Sequence, residues 1–67
     1  MTPPLLKLNE LKNEYTEKYQ YHLDRVGHYA NSNDSNASIG LRMTLRDARE
    51  ARAMLKVIQE AIERLGA

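Results

Sequence analysis

The stretch LRMTLRDAREARAMLKVIQEAIERL, residues 41–65, decides the fold. Within it Leu41, Thr44, Ala48, Ala51, Leu55, Ile58, Ile62 and Leu65 recur in steps of 3, 4, 3, 4, 3, 4 and 3. Apolar residues spaced this way line one stripe of a helix that lies lengthwise along another helix. The spacing predicts a helix over about 41–65, stopped by Gly66. Asp34, Ser35, Ser38 and Thr44 are its candidate N-caps, and Thr44 with Asp47 resembles a capping box.

Upstream, a second pattern predicts a helix over about 3–30. Pro3 and Pro4 fit a first helical turn, where the missing N–H is no loss, and Thr2 is the expected N-cap. Leu8, Leu11, Tyr15, Tyr19, His22, Val26 and Ala30 step by 3, 4, 4, 3, 4 and 4, close to the helical period. Leu5 and Leu23 fall beside this stripe, and Tyr29 borders it on the other side. Glu10, Glu14, Glu17 and Asp24 take the opposite face. Between the two patterns, residues 31–40 read NSNDSNASIG. Asn, Asp and Ser bond their own backbone and favour turns, so this is the linker. No segment alternates with period two, so no strand is expected.

Two length-matched amphipathic helices and one polar linker predict an all-α, two-helix antiparallel hairpin over residues 1–67. Folding at the linker sets Val26 near Leu45, Tyr19 near Ala51 and Tyr15 near Leu55. Large tyrosines then face small alanines near the loop, as close packing requires.

Sixty-seven residues are one small domain at most. A chain this short buries only ~60% of its unfolded surface. The absence of cysteine excludes disulfides and Cys-based zinc sites. No apolar run reaches the ~18–20 residues of a membrane span, and the opening residues do not read as a signal peptide. A soluble, cytoplasmic chain is expected.

The apolar face of the second helix is wider than one seam needs. Met54, Val57 and Ala61 form a further line beside the heptad stripe, and Leu45 flanks it on the other side. Such width implies a second neighbour, which a hairpin alone does not supply. The expected partner interface is Tyr15, Tyr19, Met54, Leu55, Val57, Ile58, Ala61 and Ile62. Completion of a helical bundle by dimerisation is its simplest form.

Charge is unevenly placed. Between residues 42 and 56 there are five cations, Arg42, Arg46, Arg49, Arg52 and Lys56, against two acids, Asp47 and Glu50. Residues 1–31 carry four of each sign, and the whole chain sums to +1. The stripe reads either as a contact patch for phosphate or an acidic protein surface, or as a solvated face partly paired to Asp24. No Phe or Trp accompanies it, and a pI near 8.1 is below the range typical of nucleic-acid binders.

His22 lies on the apolar face of the first helix and His28 on its polar face. Their spacing does not suit chelation of one metal ion. His22 reads as a core or interface histidine with one hydrogen bond, or as a proton switch. Asp24 and His28, four apart, are an expected surface pair. Two N-x-Ser matches, at Asn33 and Asn36, arise from an Asn/Ser-rich loop and carry little weight. No phosphate-cradling loop, no nucleophile with a base and no paired catalytic carboxylates are present, so no enzyme activity, cofactor, metal or small-molecule substrate is expected.

In length and helix pattern the chain resembles two kinds of small helical hairpin. These are the Rop-like dimeric RNA-binding hairpins of plasmids and the co-chaperone hairpins of type III secretion. The likeness is architectural and transfers no residues. It implies two functions. The first is a non-catalytic protein–protein interaction module, such as an adaptor, assembly factor, co-chaperone or inhibitor. The alternative is a nucleic-acid-binding hairpin dimer that uses the Arg stripe.

Overall fold

A computed structural model describes residues 2–66 and shows the expected all-α hairpin. Helix α1 spans Pro3–Ala30 and helix α2 spans Ala37–Gly66, packed antiparallel. There is no strand among the described residues. Met1 and Ala67, the outer limits of the expected domain, lie outside them.

Thr2 stands at the N-cap with extended backbone, and its carbonyl accepts from the Leu6 amide at 3.0 Å. Its hydroxyl makes no capping bond. The turn is shorter than the sequence suggests: it covers residues 31–36, not 31–40. Asp34 accounts for the difference. Its Oδ1 accepts from the Asn36 amide at 3.0 Å, and its carbonyl accepts from the Ala37 amide, also at 3.0 Å. Ser32 Oγ in turn accepts from the Asp34 amide at 3.2 Å. These local bonds fold the chain back at once, and Ala37–Gly40 become the first turn of α2. Thr44 is therefore a buried residue inside the helix and caps nothing.

The helices meet along a strict heptad seam. On α2 the buried and half-buried line is Ala37, Leu41, Thr44, Ala48, Ala51, Leu55, Ile58 and Ile62. This matches the expected stripe except at its end. Leu65, in the last turn of α2 at the open end of the rod, is 57% exposed.

On α1 the line is Leu5, Leu8, Lys12, Tyr15, Tyr19, His22, Val26 and Tyr29, with alternating steps of 3 and 4. Leu11 and Ala30, expected in the seam, are exposed, and Lys12 and Tyr29 replace them. The reason is geometric. Two helices in contact over nearly thirty residues stay in register only at a 3.5-residue repeat. The straight-helix period drifts off the seam at both ends. Lys12 fits because its apolar stem covers the seam while its ammonium reaches water.

Side-chain size is divided between the helices. Near the loop α1 supplies rings, Tyr15, Tyr19, His22 and Tyr29. There α2 supplies Gly40, Thr44, Ala48 and Ala51. The tightest approach is Tyr29 over Gly40, where a Cβ would stand 2.6 Å from the ring. Towards the termini both helices contribute aliphatic residues, and Ile58, at 5% exposure, is the most enclosed large side chain. At the seam edge Asn9 and Thr16 bond their own helix, donating to the Leu5 carbonyl at 2.9 Å and the Lys12 carbonyl at 2.7 Å.

The product is a rod of 49 × 14 × 11 Å with a Cα radius of gyration of 15.3 Å. A compact chain of this length has about 11 Å.

Two of the three glycines, Gly27 and Gly40, sit within helices with ordinary backbone but in opposite surroundings. Gly27→Ala adds a methyl to open space and should stabilise the fold by about 0.5–1 kcal/mol. Gly40→Ala meets the Tyr29 ring and should forfeit that gain or lower the urea midpoint outright. Ile58→Ala should cost about 2–5 kcal/mol, a large fraction of what so small a fold has. Urea titrations followed by circular dichroism measure all three.

Candidate interaction face

Each helix contributes positions flanking the seam on two sides. One side faces a shallow depression of 240 Å³ lined by Tyr15, Lys18, His22, Asp47, Glu50, Ala51 and Met54. That volume is below the ~300–1,000 Å³ of ordinary ligand pockets. The lining fixes which residues share this face: Lys18 from α1, and Asp47, Glu50 and Met54 from α2. Heptad steps extend it in both directions. Leu11 and Arg25 stand seven residues either side of Lys18. Val57 and Met43 stand seven either side of Glu50, and Ala61 follows Met54.

The face has two halves. Towards the termini it is apolar: Leu11 is 39% exposed, Met54 41% and Val57 60%, with Ala61 half-buried between them. Towards the loop it is charged and aromatic. Lys18 pairs with Glu14 at 3.6 Å and lies 4.8 Å from the Tyr15 ring centre. Arg25 donates a 2.6 Å hydrogen bond to the Tyr29 hydroxyl and sits 5.0 Å from that ring and 5.9 Å from the Tyr21 ring. The Tyr29 bond, with the neighbouring tyrosine oxygens, raises the Arg25 pKa above its already high ordinary value, so the group is a fixed positive charge.

His22 is half-buried with its ring edge-on to Tyr21, the centres 5.4 Å apart. It makes none of the side-chain hydrogen bonds among the described residues, in contrast to the expected single bond. Asp24 and His28 form no ion pair there either. His28 packs edge-on against Tyr29 at 5.5 Å.

The eight residues expected at a partner interface divide. Tyr15, Tyr19, Leu55, Ile58 and Ile62 are used inside the hairpin, in the seam. Met54 and Val57 remain outside with Ala61 at their edge. Leu11, Lys18, Arg25, Asp47 and Glu50 are not among the residues expected at the interface; Leu11 is expected in the seam, and Asp47 and Glu50 only as acids among the α2 cations and, for Asp47, in a capping box. Reading α1 as a strict heptad, with Lys12 admitted to the seam, would have placed the first three of them on this face.

Arg42, Arg46, Arg49, Arg52 and Lys56 are all exposed. They lie along the outer side of α2, turned away from the Met54–Val57 face. Arg46 reaches Asp47 at 3.8 Å. Among the described residues none of the five pairs with Asp24 or any other group of α1. Because α2 begins at Ala37, these cations also stand beyond its first turn, where the helix dipole is felt only weakly. No helix is long and apolar enough to cross a membrane, and no group of three metal-ligating side chains converges among the described residues. No known protein family, curated protein or solved structure matches the chain.

The stripe is not part of the hairpin's own bonding. Arg46→Glu with Arg49→Glu should therefore retain full helicity and shift stability by no more than about 0.5 kcal/mol. Thermal melts check this, and a collapse would mean that these arginines hold the two helices together.

Proposed function

We propose that the chain is a non-catalytic protein–protein interaction module, acting in the cytoplasm as a small adaptor, assembly factor or co-chaperone. The observation that carries this reading is the gathering of exposed apolar side chains on one face. Leu11, Tyr21, Met43, Met54 and Val57 all flank the seam on the side of the 240 Å³ depression. Leu23 and Leu45 lie on the other side, and Leu6 and Ile39 stand alone on the outer surfaces, as single apolar residues commonly do.

The shape adds to it. The chain exposes 5427 Å² of surface. A compact monomer of 7.7 kDa exposes about 4,300 Å². The excess, roughly 1,100 Å², exceeds the ~800 Å² that each partner buries in a standard interface.

A second reading rests on a different surface. The exposed cations of α2, none of them paired to α1 among the described residues, present a basic edge suited to phosphates, as in the nucleic-acid-binding alternative. The two readings separate by mutation and by salt. Val57→Asp should preserve helix content and abolish association through the apolar face. Arg46→Glu with Arg49→Glu should leave that association intact. Binding through phosphates would instead fail in the arginine variant and weaken steeply as salt rises. Sedimentation and pull-down of wild type and both variants at two ionic strengths measure the outcome. A wild-type chain that stays monomeric and captures no protein overturns the interaction reading.

A further inference from the structure

We infer that the face formed by Leu11, Lys18, Arg25, Asp47, Glu50, Met54 and Val57 binds a second copy of the chain, with the two loops at the same end. The inference rests on the interaction reading above and names its occupant and geometry. The arrangement is a two-fold dimer whose axis runs along the helices. It places α1 of each copy on α2 of the other, so every neighbouring pair in the four-helix bundle is antiparallel.

Charge selects the occupant. On the loop half of this face the cations, Lys18 and Arg25, belong to α1 and the acids Asp47 and Glu50 belong to α2, while Glu14, the acid of α1 beside them, is paired to Lys18 of its own helix. Lys18, Asp47 and Glu50 line one depression, and the Tyr29–Gly40 contact sets Lys18 near the level of Ala51, beside Glu50. Tyr29 over Gly40 places Arg25, one turn away, near the level of Thr44. A two-fold axis along the helices exchanges α1 for α2 while keeping the level. Lys18 then meets Glu50 of the second copy, and Arg25 meets Asp47. Lys18 to Glu14 at 3.6 Å and Arg46 to Asp47 at 3.8 Å are bonds between solvent-exposed partners and cost little to exchange. Arg25 can keep its 2.6 Å bond to the Tyr29 hydroxyl, because the guanidinium has further N–H donors for a carboxylate.

The apolar half obeys the same operation. Leu11 of one copy falls on Met54, Val57 and Ala61 of the other. A two-fold axis across the helices, with loops at opposite ends, fails on both counts. It stacks α1 on α1 and α2 on α2, so Asp47 and Glu50 face Val57 and Ala61, and Lys18 and Arg25 face Leu11 and Lys7. At the open end the favoured arrangement does bring Lys7 and Arg64 to one level, but both lie at the rim in water.

Two measurements test the inference, and the cysteine-free sequence makes the first direct. Asn33→Cys carries a spin label at the exposed loop. Electron–electron distances should centre within roughly 20 Å, two helix spacings. A distance near 49 Å, the length of the rod, would mean opposed loops and overturn the geometry while leaving association intact. The second measurement is charge exchange. Lys18→Glu and Glu50→Lys should each weaken self-association by roughly tenfold or more, through like charges at two symmetric contacts. Mixing the two variants should restore it, because both contacts of the mixed dimer regain opposite charges. A purely intramolecular role for these residues gives no rescue on mixing, which would overturn the inference. A wild-type monomer that captures a different protein would overturn the second copy as occupant, yet leave the interaction reading standing.

Discussion

Tyr29 lying over Gly40 shows the constraint on which the molecule depends. Each helix has a single neighbour, so all cohesion comes from one seam about two side chains wide. Such a seam is strong only if the helix axes come close. Here closeness is obtained by assigning rings to α1 and small residues to α2 near the loop. A methyl at Gly40 would stand 2.6 Å from the ring, which shows how little space is left. Towards the termini the division relaxes, and both helices line the seam with aliphatic residues, Leu5 and Leu8 on α1 and Leu55, Ile58 and Ile62 on α2.

The same constraint explains why the surface looks unfinished. Among the described residues no large side chain is fully buried, and the enclosed positions are mainly alanines with Thr44 and Ile58. Two cylinders in contact leave most of their circumference in water, whatever their sequence. Polar residues suit that exposure, and most outward positions of α1 are polar, with Glu10, Glu17 and Asp24 on its outermost line. The Leu11, Met54 and Val57 cluster departs from that rule. It continues the hydrophobic surface of the seam around one side of the hairpin, where a further helix would make the contact that the fold itself does not.

The two charged features of the molecule are separate in space and differ in kind. The arginines of α2 point outward in a uniform row with no partner on α1. Lys18, Arg25, Asp47 and Glu50 instead form a patterned set, with one sign on each helix at matched heights. A uniform row attracts any polyanion, whereas a patterned set distinguishes partners by shape and register. This difference, together with the adjoining apolar cluster, favours a protein partner over a polyanion for the face that carries the pattern.

The sequence by itself determined the helices, their antiparallel pairing and the α2 stripe from Leu41 to Ile62. That follows because the 3–4 spacing there is carried by unambiguous apolar or small residues. It also determined that Met54 and Val57 exceed what one seam uses. Tertiary structure decided the α1 seam, where the choice between Leu11 and Lys12, and between Ala30 and Tyr29, depends on the repeat imposed by a neighbouring helix and not on hydrophobicity. The start of α2 at Ala37 rests instead on local Asp34 bonds over two and three residues, and the sequence offered Asp34 as one of four candidate caps without choosing among them. Finally, tertiary structure decided which charges share a face. That property belongs to two helices in register, and neither helix carries it alone.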